Sequence, residues 1–213
     1  MEINPATLAT AEFWDERYRS APAIWTGNPN PHLVTDVAAL TPSTALDMGA
    51  GEGADAIWLA GQGWQVTAVD ISAVAVERGR GAAEARGDDV AERISWVAAD
   101  VTTWAPPTGA FGLVVSHFLH VPSALRGPVF QRCIEAVAVG GTLMIVGHHI
   151  SDTETTIRRP QLPDLYFEAQ DVAAMLPNGW TIVEASTRPR TTNDHDGAPV
   201  TINDAVLIAH RDQ

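Results

Sequence analysis

The chain contains no lysine, and all 13 of its basic residues are arginines. Chemistry that depends on a lysine amine is therefore excluded. A lysine Schiff base cannot form, a phosphate-binding loop of the Walker type has no lysine to offer, and the Tyr-x-x-x-Lys pair of short-chain dehydrogenases is missing.

Cysteine, long apolar runs and positive charge are also scarce. Cys133 is the only cysteine, so no disulfide can form within the chain, and we expect a reducing compartment. No apolar run approaches the roughly 18 residues of a membrane span, and no signal peptide is recognisable. The formal net charge of -13 disfavours a nucleic-acid partner. We therefore expect a cytoplasmic protein, monomeric or homodimeric, that acts on a small molecule and has no nucleic-acid or membrane partner.

The most informative stretch runs from residue 45 to residue 70 and has the pattern of strand, glycine turn, helix and strand. Gly49, Gly51 and Gly53 stand at alternate positions, where glycine permits positive φ and close approach of the backbone to a ligand. Asp70 ends the second strand 19 positions after Gly51, near the roughly 20 expected of a carboxylate that accepts ribose hydroxyls. This pattern predicts a nucleotide-like cofactor.

The glycines alone do not identify that cofactor. Gly49, Gly51 and Ala54 also satisfy the GxGxx(G/A) pattern of dehydrogenases, which makes an NAD(P)-dependent oxidoreductase the alternative. Asp47 precedes the first glycine by two residues, where a carboxylate would repel a pyrophosphate and attract a ligand ammonium group. The run Asp47-Met48-Gly49-Ala50-Gly51-Glu52-Gly53 resembles the first motif of class I S-adenosylmethionine-dependent methyltransferases. A non-catalytic S-adenosylmethionine-binding protein with this fold is a further alternative.

The resemblance implies a fold for the whole chain. It implies one α/β domain over 1–213, with a doubly wound, mostly parallel seven-stranded sheet and helices on both faces. Residues 1–42 would form an N-terminal helical cap, and 43–213 the Rossmann-like core. The Trp25 loop, Phe118-Leu119-His120 and the pair His148-His149 look most like the tellurite-resistance and thiopurine-type branch, which acts on small molecules.

The resemblance also implies a cofactor site for S-adenosyl-L-methionine at the strand ends. Asp70 would accept the ribose hydroxyls, Asp100 would bind the adenine amino group, and the Val101 N–H would reach a ring nitrogen. Gly112 departs from the family, which commonly has an Asp there. The predicted cofactor-binding residues are Asp47, Gly49, Ala50, Gly51, Gly53, Asp70, Ile71, Asp100, Val101 and Ser116.

Four histidines follow the fourth and fifth strands, namely His117, His120, His148 and His149. Methyl transfer to an O, N, S or chalcogen nucleophile needs in-line approach, and a general base only where the nucleophile must lose a proton. We predict His120 and His149 as the catalytic pair; histidines that only shape the pocket are the alternative. No metal is predicted, because the adjacent His148 and His149 cannot easily ligate one tetrahedral ion together.

The pattern of apolar residues and turn residues predicts the remaining elements. They are an N-terminal helix over 6–20, a helix opened by Pro31, a helix from Pro128 to Val139 closed by Gly140-Gly141, a fifth strand over Thr142 to Gly147, a polar loop from Ile150 to Asp164, a helix from Glu168 to Leu176, and last strands Trp180 to Ala185 and Thr201 to Ala209 joined by a loop from Arg188 to Pro199.

Overall fold

A computed structural model describes residues 5–157, 159 and 162–213. Residues 1–4 of the predicted cap and residues 158, 160 and 161 of the predicted polar loop lie outside the described residues. The helices are α1 (Ala11–Arg19), α2 (Pro31–Val37), α3 (Ala54–Gly61), α4 (Ala73–Glu84), α5 (Asp88–Ala91), α6 (Ser123–Ala136) and α7 (Ala169–Ala173). The strands are β1 (Thr44–Met48), β2 (Gln65–Asp70), β3 (Ile94–Ala98), β4 (Phe111–His117), β5 (Val137–His148), β6 (Trp180–Asn193) and β7 (Pro199–Arg211).

The strands form one seven-stranded sheet in the order β3-β2-β1-β4-β5-β7-β6. β1 to β5 pair in parallel, whereas β7 runs antiparallel to both of its neighbours. The predicted seven-stranded, mostly parallel sheet is therefore confirmed. Because the parallel strands all end at one edge, their carboxyl-terminal residues meet there.

Helices cover both faces of the sheet, as predicted. In β1, Ala45 packs into a cluster with Leu33 of α2 and Leu59 of α3. Its neighbour Leu46 points to the opposite face and packs with Cys133 of α6. Burial on both faces explains why the central strands are apolar at nearly every position. Cys133 is thus a core residue, and burial raises the pKa of its thiol to about 12.

Several helix starts follow the sequence signals. The Asn30 side chain caps α2 by accepting from the His32 N–H at 2.9 Å, and Ser72 caps α4 by accepting from the Ala75 N–H at 3.1 Å. The predicted helix over 6–20 is divided. Pro5–Ala9 forms a 3-10 turn, and Thr10 then caps α1 through a 3.4 Å bond from the Phe13 N–H.

The prediction was wrong about where α6 begins and ends. The helix starts at Ser123, so Pro128 lies inside it rather than at its first position. Gly127 precedes that proline and has no Cβ to clash with its ring, which removes part of the usual penalty. The helix ends at Ala136 rather than at Val139, because Val137 already pairs with Phe111 of β4. The fifth strand therefore begins five residues earlier than predicted.

The largest difference is at the carboxyl-terminal hairpin. The predicted loop from Arg188 to Pro199 is mostly strand, because β6 continues to Asn193 and β7 starts at Pro199. A ladder pairs the two strands out to Asn193 and Pro199. The extended part of this hairpin brings Arg190, Thr192 and Ile202 to the cavity described below.

Within residues 5–157, 159 and 162–213, no helix combines the length and the apolar composition needed to span a lipid bilayer.

Candidate active site

A cavity of about 500 Å³ opens at the carboxyl-terminal edge of the sheet. Its volume lies within the roughly 300–1,000 Å³ of small-molecule sites. The predicted cofactor residues that line it are Asp47, Gly49, Ala50, Gly51, Gly53, Asp70, Ile71, Asp100 and Val101. The structure thus brings together nearly the whole predicted set.

Ser116 is the exception among the predicted cofactor residues. It is buried and does not line the cavity; its hydroxyl donates to the Met48 carbonyl oxygen at 3.1 Å. This bond joins β4 to β1. The structure therefore gives Ser116 a place in the sheet and no contact with the cavity.

The three glycines of the loop after β1 all have left-handed backbones, with φ of 86° at Gly49, 55° at Gly51 and 81° at Gly53. At Gly51 an added Cβ would lie 3.0 Å from the Tyr18 hydroxyl oxygen. At Gly53 it would lie 2.2 Å from the Trp96 ring. Glycine is therefore required both for the turn and for the close packing around it.

Asp70 shapes this loop directly. One carboxylate oxygen accepts from the Gly51 N–H at 2.8 Å, and the other accepts from the Ser72 N–H at 2.9 Å. Burial raises the pKa of Asp70, although the two backbone N–H groups oppose the shift. The same carboxylate lines the cavity, so it faces both the glycine loop and any ligand.

Asp47 lies at the end of β1 and is almost fully buried. Its Oδ2 atom has no hydrogen-bond partner among the described residues. Burial, and then the negative charges of Asp55 and Asp70, raise the pKa of Asp47 well above its ordinary value. A buried carboxylate without a partner is costly, so this atom is suited to receive a cation from the cavity.

Asp100 and Val101 follow β3 and line the cavity together. The Asp100 Oδ1 accepts from the Thr102 N–H at 2.8 Å, which fixes the turn. Its second oxygen remains available as an acceptor.

The two predicted catalytic histidines occupy different places. His120 lines the cavity, and burial, then His148 and two arginines, lower its pKa to about 3. It is therefore a neutral imidazole at physiological pH. His149 does not line the cavity: its Nε2 is 2.9 Å from Glu168 Oε1 and its Nδ1 is 2.9 Å from Ser151 Oγ. The structure therefore gives His149 no contact with a ligand in the cavity.

His117 is more firmly positioned than the sequence indicated. Its Nδ1 is 2.7 Å from Asp55 Oδ2, and the other Asp55 oxygen accepts from the Asn30 N–H at 2.6 Å. His117 Nε2 is buried and has no hydrogen-bond partner among the described residues. Asp55 thus joins the first turn of α3 to the last residue of β4 and to the residue that caps the start of α2. Sequence reasoning missed this role of Asp55, because no local pattern links it to residues 25 and 62 positions away.

The strand-end histidines do not gather into a metal site. Within the part of the chain that the structure describes, the one group of three ligand side chains within reach of a single ion is Asp194, His195 and Asp196. That group lies at the tip of the β6–β7 hairpin, and none of its residues lines the cavity.

The N-terminal segment covers one side of the cavity, through Leu8, Trp14, Tyr18 and Trp25. The Trp25 indole N–H donates to the Tyr18 hydroxyl at 3.0 Å. Glu52, from the glycine loop, accepts from the backbone N–H groups of Ile24 at 3.1 Å and Trp25 at 3.2 Å. The segment is therefore attached to the same loop that lines the cavity floor.

The far side of the cavity is supported by two fully buried aspartates, Asp152 and Asp204. Asp152 binds Arg159, with 3.3 Å between Oδ2 and Nε. Asp204 binds Arg190 at 2.5 Å and His32 at 3.1 Å. Burial opposes ionisation of Asp204, but His148, His32 and Arg190 outweigh it and lower its pKa. Sequence reasoning missed both arginine–aspartate pairings, which span 7 and 14 positions of the chain.

Comparison with known proteins places this arrangement in a family. Residues 45–141 match the family model described as a methyltransferase domain. This match covers the glycine loop, β1 to β4 and the acids at their ends. The predicted resemblance to class I S-adenosylmethionine-dependent methyltransferases is therefore confirmed over these residues, which are a little under half of the chain. The oxidoreductase alternative is therefore not retained, and S-adenosylmethionine is the cofactor of the family, as predicted. The narrower tellurite-resistance and thiopurine-type resemblance stays a prediction.

Individual relatives are distant in sequence. The 2-heptyl-1-hydroxyquinolin-4(1H)-one methyltransferase of Mycobacteroides abscessus is 25% identical over 134 residues, which are 62% of this chain and 58% of that enzyme. The chain thus matches little more than half the length of this curated relative.

Solved structures share the fold across nearly the whole chain. The N-methyltransferase NodS of Bradyrhizobium japonicum, solved with S-adenosyl-l-homocysteine, has a TM-score of 0.70 at 18% identity, covering 96% of this chain and 100% of that one. A structure described by the conversion of a disulfide bond into a thioacetal group during echinomycin biosynthesis has a TM-score of 0.73 at 23% identity, with 95% and 92% covered. TehB of Haemophilus influenzae has a TM-score of 0.66 at 18% identity, with 94% and 66% covered.

Proposed function

We propose that this methyltransferase transfers a methyl group from S-adenosylmethionine to a small-molecule nucleophile bound in the 500 Å³ cavity. The observation that carries the proposal is the buried Asp47 Oδ2, which lacks a partner beside a loop of three left-handed glycines. The loop provides room for close approach of a ligand, and the carboxylate provides a site for its cation. S-adenosylmethionine carries a positively charged ammonium group that fits this position.

The other strand-end acids fit the rest of the same molecule. In the proposed complex, Asp47 faces the ammonium group and Asp70 accepts the ribose hydroxyls. Asp100 accepts from the adenine amino group, and the Val101 N–H donates to a ring nitrogen. All four residues line one cavity, which supports the assignment.

We assign the N-terminal helices to a cap over the cofactor. Leu8, Trp14, Tyr18 and Trp25 line the cavity and enclose it from above the glycine loop. Asp15 of α1 accepts from the Ser72 hydroxyl at 2.5 Å, which holds α1 against the start of α4. The cap thus contacts the core at the glycine loop after β1 and at the start of α4 after β2.

When bound, S-adenosylmethionine supplies a methyl carbon that accepts the nucleophile's electron pair while the carbon–sulfur pair returns to sulfur. The protein's part is to hold the acceptor in line and exclude water, which can contribute as much as ~7–11 kcal/mol of barrier lowering. His120 is neutral, and a pKa of about 3 makes it a poor base. Its position supports a role in shaping the acceptor pocket, and positioning carries the catalysis.

Two relatives support a small-molecule acceptor. The name of the Mycobacteroides abscessus enzyme gives a hydroxyquinolone as its substrate, and NodS is described as an N-methyltransferase. A substrate that is methylated on oxygen or nitrogen would agree with the names of both relatives. The proposal also includes acceptors that are methylated on sulfur or another chalcogen.

Calorimetry tests the proposal directly. We expect S-adenosylmethionine and S-adenosylhomocysteine to bind with similar affinity, whereas NAD⁺ and NADH should give no saturable heat. A panel of phenols, amines and thiols with labelled methyl donor then tests turnover. Binding of NADH without binding of S-adenosylhomocysteine would contradict the donor site. Donor binding without transfer to any acceptor would favour a non-catalytic binding protein.

A further inference from the structure

Four neighbouring rings form one wall of the cavity. The Phe118 and His148 rings stack with 4.3 Å between centroids, and His148 lies 5.7 Å from His120. The His120 ring is in turn 6.1 Å from Trp14. All four rings line the cavity, so a ligand on this side meets aromatic side chains. Such surfaces favour planar, unsaturated ligands over saturated ones.

Phe118 occupies a strained conformation within this wall. Its φ is 52°, and among the described residues it is the one non-glycine residue with positive φ. A bulky residue in the left-handed region is uncommon and costs free energy, and such strain collects at functional sites. The strain here places the Phe118 ring between His148 on one side and Arg190, whose Cζ is 5.7 Å from the ring centroid, on the other.

The polar groups at this end of the cavity are hydrogen-bond donors. Arg159 and Arg190 both line the cavity, whereas the carboxylates that hold them, Asp152 and Asp204, do not. The bonds of Arg159 within the described residues use only its Nε, and those of Arg190 use Nε and one terminal nitrogen. Each guanidinium is thus held by a carboxylate and has further N–H groups without a partner among the described residues, which can bind a ligand.

Five acids also line the cavity. Asp47, Glu52, Asp55, Asp70 and Asp100 belong to the glycine loop, the start of α3 and the ends of β2 and β3. A cationic or cation-bearing donor fits among them, whereas an anionic group would be repelled. The acids and the arginines thus come from different segments of the chain, and a second ligand in this cavity can contact arginines and histidines.

We propose that the methyl acceptor is a planar aromatic molecule with an anionic oxygen group, which stacks on the ring wall of Phe118, His148, His120 and Trp14 and binds the guanidinium groups of Arg190 and Arg159. This inference rests on the proposed function, because it describes the second substrate of the same cavity. An acceptor that enters as an anion has no proton to lose from that oxygen. The low pKa of His120 is in keeping with such a site, since no base is then required.

Two naphthalene compounds and one cyclohexane compound distinguish the effect of the ligand's negative charge from the effect of its flat ring. They are 1-hydroxy-2-naphthoate, its methyl ester, and 2-hydroxycyclohexanecarboxylate, each titrated calorimetrically into protein saturated with S-adenosylhomocysteine. We expect the naphthoate to bind about tenfold or more tightly than either of the other two, since one lacks the charge and the other the flat ring. Equal binding of the naphthoate and its ester, or no binding of the naphthoate, would overturn the inference.

The variant Arg190→Gln tests the residue that is proposed to read the charge. It should bring the naphthoate to the affinity of the ester and leave the affinity of S-adenosylhomocysteine unchanged. Arg188→Gln is the matched control: Arg188 lies on the same hairpin and pairs with Asp36 and Glu184 but does not line the cavity, so the preference should survive. An unchanged preference in Arg190→Gln would overturn the assignment.

A failure of the proposed function and a failure of the inference about the acceptor give different results. If the protein does not bind S-adenosylhomocysteine at all, the proposed function is wrong. If it binds S-adenosylhomocysteine but shows no preference among the three probes, only the inference about the acceptor is wrong. The comparison of probes on the parent protein decides the matter even if Arg190→Gln does not fold.

Discussion

Replacing Asp47 by Asn should stabilise the free protein and weaken donor binding. The change keeps the shape of the side chain, and the amide oxygen can still accept from the Ala56 backbone N–H. It removes a buried negative charge whose second oxygen has no partner among the described residues. An unsatisfied buried polar group costs about 1–3 kcal/mol, and more if charged. We therefore expect the free energy of unfolding to rise by at least about 1 kcal/mol at pH 8, or about 2–4 °C in melting temperature.

The pH dependence follows from the direction of the shift. Burial raises the pKa of Asp47 in the folded protein, so the native state binds a proton that the unfolded state has released. The resulting loss of stability sets in above the unfolded pKa, grows until pH passes the folded pKa, and is constant beyond. The gain from Asp47→Asn should therefore be greatest at pH 8 and vanish towards pH 4, as measured by urea unfolding across that range.

Asp204→Asn is the matched control, because Asp204 is equally buried but fully partnered. Its pKa is lowered in the folded protein, so its contribution to stability is present above the unfolded pKa and is lost as pH falls. This variant should therefore destabilise the protein at pH 8. Opposite signs for two buried aspartates would show that the missing partner, and not burial alone, sets the effect.

Donor binding provides the second readout for Asp47→Asn. Loss of a charge-assisted contact should weaken S-adenosylhomocysteine by about 1.5–3 kcal/mol, which is roughly tenfold or more. Since an ammonium group favours the ionised carboxyl, donor binding should also lower the pKa of Asp47 and release a proton at any pH at which the free protein still holds one, visible as heat that depends on the buffer. Unchanged stability together with unchanged affinity would refute the reasoning.

Three further predictions concern the same cavity. Gly51→Ala should weaken S-adenosylhomocysteine binding in calorimetry, whereas Gly140→Ala, with φ of 79° and open space around it, should cost only ~1–2 kcal/mol of stability and leave binding intact. Asp100→Asn should bind S-adenosylhomocysteine more tightly than Asp100→Ala, because the amide keeps one acceptor oxygen; equal affinities would assign Asp100 to the turn alone. His120→Gln should raise the KM of an acceptor, and its turnover rate should not change with pH between 6 and 8. His149→Gln should lower the melting temperature and leave the turnover rate unchanged; a loss of rate in this variant would return His149 to the site.

The donor half of the cavity was predictable because its signals are local in sequence. Asp47, the three glycines and Asp70 lie within 24 positions, and each has a conformational or charge requirement that few other residues meet. The strands around them are buried on both faces and therefore read as apolar runs. Ser116 was misplaced by the same reasoning, since position at a strand end does not tell which way a side chain points.

The acceptor half depends on contacts between distant parts of the chain. The segment from Arg188 to Pro199 is polar because much of β6, an outer strand of the sheet, is exposed to water. Its pairing with β7 is made by backbone hydrogen bonds, which leave no apolar pattern in the sequence. Arg190 takes its position from Asp204 on the next strand, and Asp204 in turn from His32 near the N-terminus. No periodicity in the sequence reports such pairings.

The two halves of the cavity also differ in how they relate to the family. The shared methyltransferase region, 45–141, contains the glycine loop and every acid of the donor end. Trp14, Arg159, Arg190 and Ile202, from the acceptor end, all lie outside it. Phe118 and His120 of the ring wall lie inside it, so the proposed acceptor site combines residues of the matched region with residues of the two terminal segments. For this chain, the proposed donor residues lie within the matched region, whereas four of the six residues proposed for the acceptor lie outside it.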